Sequence, residues 1–135
     1  MKILLDTSAY VAFKLNLDEV VNMIASAEHI CFSPVVLGEL MFGFRNGSRF
    51  RENMEDLNQF MEHEVVELVK IGSLTADRYS RIASYLKRQG TPIPTNDIWI
   101  AAQTMEYGAE LITSDKHFEN ISGLVCTIFQ PQAGR

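Results

Sequence analysis

Five short apolar runs constrain the fold of this chain more than any other feature. They lie at 3–5 (Ile-Leu-Leu), 30–32 (Ile-Cys-Phe), 65–69 (Val-Val-Glu-Leu-Val), 111–113 (Leu-Ile-Thr) and 124–129 (Leu-Val-Cys-Thr-Ile-Phe). None shows the strict apolar-polar alternation of a strand with one wet face, so each reads as a strand covered on both sides. Between them the apolar residues recur at helical spacing: Val20, Val21 and Ile24; Val36, Leu40 and Phe44; Phe50, Met54, Leu57 and Met61; Tyr79, Ile82, Ala83 and Leu86; Ile98, Ala101, Ala102 and Met105. Strands that alternate with helices are joined by right-handed crossovers and run parallel. The pattern predicts an α/β fold, a three-layer α/β/α sandwich around a central, mostly parallel five-stranded sheet. At 135 residues there is room for one domain, 1–135, with a single core.

Local punctuation agrees with that order. Pro34 is placed to open one helix, Ser73 or Thr75 to cap another that stops at Gly90, and Thr95 or Asn96 to cap a third that stops at Gly108. Thr91-Pro92-Ile93-Pro94 is the one stiff linker. No run approaches the roughly 18 apolar residues of a membrane span, and Ile3-Leu4-Leu5 before Asp6 is too short for a signal segment, which predicts a cytoplasmic protein without membrane contact. Cys31 and Cys126 each sit in an apolar run and read as buried, reduced thiols.

In open parallel sheets ligands bind beyond the carboxyl ends of the strands. Asp6 directly follows the first run and Asp115 follows Leu-Ile-Thr-Ser, while Asp97 stands in the first turn of a helix after the Pro-x-Pro linker. Each taken singly has a plain alternative as a helix cap or first-turn acid. Glu39 is harder to dismiss, because Val35, Val36, Phe42 and Gly43 are its helical neighbours; either Arg45 or Arg49 pairs with it, or it is exposed at the end of that helix, or it shares a cation with other carboxylates. Four carboxylates converging on one crevice cannot all stay ionised without a cation. In the absence of that cation, one carboxylate of the cluster should have a raised pKa. All-oxygen ligation suits Mg²⁺ or Mn²⁺ and phosphodiester chemistry.

Four segments carry these acids: Ile3-Leu4-Leu5-Asp6-Thr7-Ser8, Ser33-Pro34-Val35-Val36-Leu37-Gly38-Glu39-Leu40, Pro94-Thr95-Asn96-Asp97-Ile98-Trp99-Ile100-Ala101-Ala102 and Leu111-Ile112-Thr113-Ser114-Asp115-Lys116-His117-Phe118. Together, and in this order, they resemble the PIN-domain ribonucleases, and within them the VapC-type toxins of bacterial toxin-antitoxin pairs. The resemblance implies a Mg²⁺- or Mn²⁺-dependent endoribonuclease. It makes Asp6, Glu39, Asp97 and Asp115 the catalytic set, with Asp6 and Asp97 as direct metal ligands and Glu39 and Asp115 acting directly or through water. Thr7 and Thr113 correspond to hydroxyls that brace the carboxylates or the attacking water. The resemblance also implies an RNA substrate, a homodimer and a small antitoxin protein whose tail covers the active-site groove.

Twelve basic against seventeen acidic side chains, net −5, argue against a whole-surface grip on nucleic acid. Seven of those twelve bases nevertheless fall in two stretches, Arg45, Arg49 and Arg51, then Arg78, Arg81, Lys87 and Arg88. They form either an RNA-binding rim, with Arg45 and Arg49 as substrate contacts, or solvated helix faces paired with nearby acids. The aromatic and basic stretch 41–50 stacks on bases, grips an antitoxin helix, or packs between two helices. His29, His63 and His117 lack metal-ligand spacing, His117 reading as a surface residue at a helix start, and no glycine-rich phosphate loop is present. The alternative function is a non-catalytic PIN-like module that binds RNA or protein.

Overall fold

The structure, a computed structural model, describes residues 1–131. Five strands form one sheet: β1 (Lys2–Leu5), β2 (His29–Phe32), β3 (Val66–Leu68), β4 (Glu110–Thr113) and β5 (Cys126–Ile128). All neighbours pair parallel in the order β3-β2-β1-β4-β5, with Leu4 opposite Cys31 on one side and Leu111 on the other. The sheet is therefore parallel throughout the described residues, where the sequence pattern pointed to a mostly parallel one. Six helices connect the strands: α1 (Thr7–Lys14), α2 (Asp18–Ser26), α3 (Pro34–Arg45), α4 (Phe50–Met61), α5 (Ser73–Gln89) and α6 (Thr95–Glu106), with a 3₁₀ turn at Lys116–Asn120.

Strands β1 to β3 step outward in one direction, and the next crossover returns the chain past β1 to β4. Right-handed connections then put α1 to α4 over one face of the sheet and α5 and α6 over the other. The direction of winding reverses between β1 and β4, and their carboxyl ends border the crevice where doubly wound sheets bind ligands. The core runs through this central pair: Ile3, Leu4, Leu5, Leu111 and Ile112 are fully buried, with Phe32 and Phe60 packed edge-on against Tyr10.

Helix starts differ from the sequence expectation by one position in two places. The cap of α5 is Gly72, whose N–H donates to the Thr75 hydroxyl at 3.0 Å, so Thr75 is the third helical residue and not the cap. The cap of α6 is Pro94, and neither Thr95 nor Asn96 caps it; the rigid φ of proline in an extended conformation already delivers the chain into the first turn. Pro34 does open α3, with Ser33 as its cap. At the far end of α5, Gly90 takes φ 71°, a left-handed conformation that glycine adopts without steric cost. Cys31 and Cys126 are free thiols, both pushed up in pKa by burial.

Candidate active site

Asp6 occupies the first position after β1, where the chain turns from strand into α1. Its Oδ1 accepts from the Ala9 backbone N–H at 2.9 Å and from the Ser8 hydroxyl at 2.6 Å, so it is the α1 cap that sequence allowed it to be. The cap does not exhaust it, because Oδ2 turns towards β4 and accepts from the buried Thr113 hydroxyl at 2.5 Å. Thr113 Oγ1 in turn accepts from the Asp115 N–H at 3.0 Å, and Ser8 Oγ accepts from the Ser114 N–H at 3.0 Å. Two hydroxyls thus stitch the carboxyl ends of β1 and β4 together across the switch point. Ser8 is the member that sequence reading missed; its place two residues after a strand-end acid was the available signal.

Glu39 comes from α3 on the same side of the sheet as α1. Its Oε1 accepts from the Thr7 hydroxyl at 2.5 Å and its Oε2 from the Asn96 side-chain amide at 3.2 Å. Of the alternatives for Glu39, the arginine pair is not formed among the described residues. Arg45 stacks its guanidinium over Phe50 at 4.5 Å and Arg49 pairs with Glu52 at 3.4 Å. Six residues beyond Glu39, Arg45 lies about 9 Å further along the helix axis. Asn96 spends its amide on Glu39 and joins α6 to α3 over the crevice, a role that the capping reading overlooked.

Asp97 stands in the first turn of α6, and among the described residues no side chain donates to its carboxylate. Burial pushes its pKa up to about 6, reinforced by the negative charges of Asp115, Glu39 and Asp6 and opposed by His117. Asp6 is likewise raised, first by burial, with its hydroxyl and backbone donors pulling the other way and Asp115 adding to the rise. Asp97 is thus within electrostatic reach of the other three acids, and Asp6 of Asp115. Asp115 caps the 3₁₀ turn, accepting from the His117 N–H at 2.9 Å, with the His117 ring nitrogen also 2.9 Å from the same oxygen. His117 is the exposed residue at a helix start that the sequence indicated, and from there its ring reaches Asp115.

No Lys or Arg side chain pairs with any of the four acids among the described residues. Among the described residues no three His, Cys, Asp or Glu side chains close directly on a common point; hydroxyl and amide donors occupy Asp6 and Glu39 instead. Of the other expected bases, Arg78 borders a cleft with Met1 and Lys2 at the amino ends of the strands, opposite the acids, and Arg81 pairs with Asp77 at 2.9 Å. Lys87 and Arg88 stay exposed at the end of α5, one short linker before α6 enters the site.

Two clefts flank the acids. One, of about 640 Å³, runs along α3 past Thr7, Glu39, Phe42 and Asn96. The other, of about 330 Å³, is bordered by Ser8, Val11, Leu15, Leu17, Ser114 and Phe129.

The PIN domain family profile matches residues 3–124. Ribonuclease VapC2 of Rickettsia felis (strain ATCC VR-1525 / URRWXCal2) is 27% identical over 105 residues, 77% of each chain. Ribonuclease VapC1 of Haemophilus influenzae (strain R2866) is 26% identical over 126 residues, 90% of this chain and 92% of that one. Among solved structures, VapBC2 from Rickettsia felis bound to a DNA fragment from its promoter superposes with a TM-score of 0.82 at 24% identity, covering 94% of this chain and 98% of that one. VapBC-1 from nontypeable Haemophilus influenzae gives 0.83 at 24% identity, covering 94% and 97%. Both structural matches concern the fold.

Proposed function

Because this chain belongs to the PIN-domain family, we propose that it is a metal-dependent endoribonuclease and the toxin of a toxin-antitoxin pair. The observation that carries this reading is the set of four carboxylates delivered by four separate elements to the switch point of the sheet, none balanced by a Lys or Arg among the described residues. Family relatives named as VapC ribonucleases support the activity, and neighbours solved as VapBC complexes support an antitoxin partner.

The donor set fits a hard divalent cation. It is all oxygen, and the carboxylate of Asp97 is pushed up in pKa first by burial and then by the like charges of Asp115, Glu39 and Asp6, which a cation would relieve. Asp6 and Asp97 are the direct ligands in this reading, with Glu39 and Asp115 reaching the ion directly or through water, as suits Mg²⁺ or Mn²⁺, which keep several waters in such sites. A carboxylate offers about four acceptor positions, so Asp6 retains capacity for a metal beside its three donors. The bound ion would lower the pKa of an attacking water and neutralise charge developing on the phosphate. The protein's own part is orientation. Thr113 and Ser8 fix the Asp6 carboxylate from two sides, and Thr7 with Asn96 fixes Glu39. Lys87 and Arg88 are exposed near the rim and available to backbone phosphates, with Arg45 contributing from α3.

The apolar cleft beside Val11 and Leu15, both exposed, is the surface an antitoxin would cover, and exposed Ile71 and Leu74 offer apolar area to a second copy of the chain. Cleavage of total RNA tests the whole reading. Wild type with Mg²⁺ or Mn²⁺ should cut and should be silent in EDTA, while Asp97→Asn should lose activity by at least a hundredfold with its thermal unfolding intact. Undiminished cutting by Asp97→Asn would refute the assignment.

A further inference from the structure

We infer that Phe42 is a stacking platform for the nucleobase next to the scissile phosphate and so determines where on an RNA the protein cuts. This rests on the ribonuclease reading above and adds to it a residue that no metal chemistry requires. Phe42 is 72% exposed, a costly position for a large apolar ring, and it lies one turn along α3 from Glu39, about 4.5 Å along the axis. Both residues border the same cleft of about 640 Å³, within the range of sites that hold small organic groups.

The ring is also left uncovered. Side chains on a helix lean towards its N-terminus, so Phe42 leans over the turn that carries Gly38, four residues earlier. Gly38 is exposed and has no packing reason to be glycine, since a Cβ built there meets nothing within 4 Å. A glycine inside an exposed helical turn lowers helix stability relative to alanine. The Phe42 ring also stays more than 4 Å from that Cβ position, so only a longer side chain at 38 would reach over its face.

The chemistry of the walls selects a base over a protein side chain. Glu39 and the Asn96 amide border the cleft, and among the described residues no donor reaches Asn96 Oδ1. An aliphatic side chain lying on Phe42 would cover the Asn96 oxygen and offer it no donor. A nucleobase stacks on the ring through its π-face and carries polar edges that Asn96 can meet. Stacking tolerates any base, and the Asn96 oxygen favours bases with an exocyclic amino group.

The test begins by mapping a cut in total RNA and synthesising an oligoribonucleotide across it, intact and with an abasic nucleotide at each position flanking the cut. With Mg²⁺, Phe42→Ala should lower kcat/KM on the intact strand by about ten- to a hundredfold, and Phe42→Trp should retain it. Gly38→Leu, which covers the ring, should behave like Phe42→Ala. At one flanking position the abasic strand should reduce wild type by a similar factor and cost Phe42→Ala nothing more. In an Asp97→Asn background, where the strand stays whole, 2-aminopurine at that position should be quenched on binding, and Phe42→Ala should abolish the quenching. The inference is overturned if wild type cuts and Phe42→Ala matches it on the intact strand. It is also overturned if Phe42→Ala loses equally on intact and abasic strands, or if it alters only inhibition by a partner protein. Should wild type leave the RNA whole with either metal, the ribonuclease reading itself fails and this inference with it.

Discussion

At the scale of single residues, the site is a case of hydroxyls deciding what carboxylates do. Thr113 is fully buried, gives its proton to Asp6 Oδ2, and accepts from the Asp115 N–H, so one side chain couples two of the four acids. Thr113→Val keeps the shape and removes both bonds. It is expected to destabilise the protein by about 1–3 kcal/mol, read from the urea midpoint, because a buried acceptor and a backbone donor lose their partners. It should also raise the Asp6 carboxyl further, since one of the donors that lower it is gone, and weaken Mg²⁺ binding measured by calorimetry. Thr113→Ser should restore both. A Thr113→Val protein with wild-type stability and metal affinity would show that this bond carries no weight. The glutamate shows the same logic from the other side: Thr7 and Asn96, and neither Arg45 nor Arg49, meet Glu39, and they leave its charge uncompensated for a cation.

At the scale of elements, the site depends on how α6 is docked, because α6 supplies both Asp97 and Asn96. Gln103, fully buried on that helix, donates through Nε2 to the carbonyls of Val69 at 3.1 Å and Lys70 at 3.2 Å, which end β3. The same helix stacks Trp99 on Tyr79 of α5 at 4.2 Å, and Tyr107, just past its end, reaches the Lys70 carbonyl through its hydroxyl. These contacts hold α6 across the sheet from β4, beside which its own chain continues. Gln103→Met fills the space without the amide and leaves the Val69 carbonyl unsatisfied; about 1–3 kcal/mol of stability should be lost in denaturant unfolding. Activity, if the docking argument is right, should fall more than stability explains, since a small shift of α6 moves Asp97. Equal activity per folded molecule would separate α6 docking from the site.

At the scale of the whole molecule, charge and pH are linked through the crevice. With four of the seventeen acids assigned to the site, thirteen remain against twelve bases, so the net −5 describes a nearly neutral body with an acidic pocket. Asp97 has a folded pKa of about 6 against 3.8 for an ordinary aspartate. A carboxyl whose pKa is raised in the fold binds its proton more tightly there than in the unfolded chain. Its contribution therefore favours the fold below about pH 4 and is lost as pH rises through about 6. Metal-free wild type should lose stability relative to Asp97→Asn between pH 4.5 and 7.5, by on the order of 1–2 kcal/mol once solvent screening is allowed for. Millimolar Mg²⁺ should erase that difference at pH 7.5 and do little at pH 4.5. A wild-type and Asp97→Asn pair whose melting temperatures stay parallel across the range, with and without Mg²⁺, would contradict a converged cluster.

What the sequence determined by itself was everything governed by local pattern. Unalternating apolar runs such as Ile3-Leu4-Leu5 read as strands, helical spacing in between points to parallel crossovers, and strand-end acids mark the ligand edge. Burial on both faces, expected of all five runs, holds for the inner strands and fails at the edges, where β3 and β5 have neighbours on one side only. The positions of Asp6, Glu39, Asp97 and Asp115 within their motifs were legible for the same reason. Tertiary structure alone decided the rest, because it concerns pairs far apart in the chain. That Thr113 meets Asp6 across 107 positions, that Asn96 rather than an arginine reaches Glu39, and that Arg78 faces the wrong end of the sheet are consequences of strand order and helix docking. So is the raised pKa of Asp97, which depends on burial and on three charges contributed by other elements. Periodicity reports which face of an element is buried; it carries no information on which distant polar group waits there.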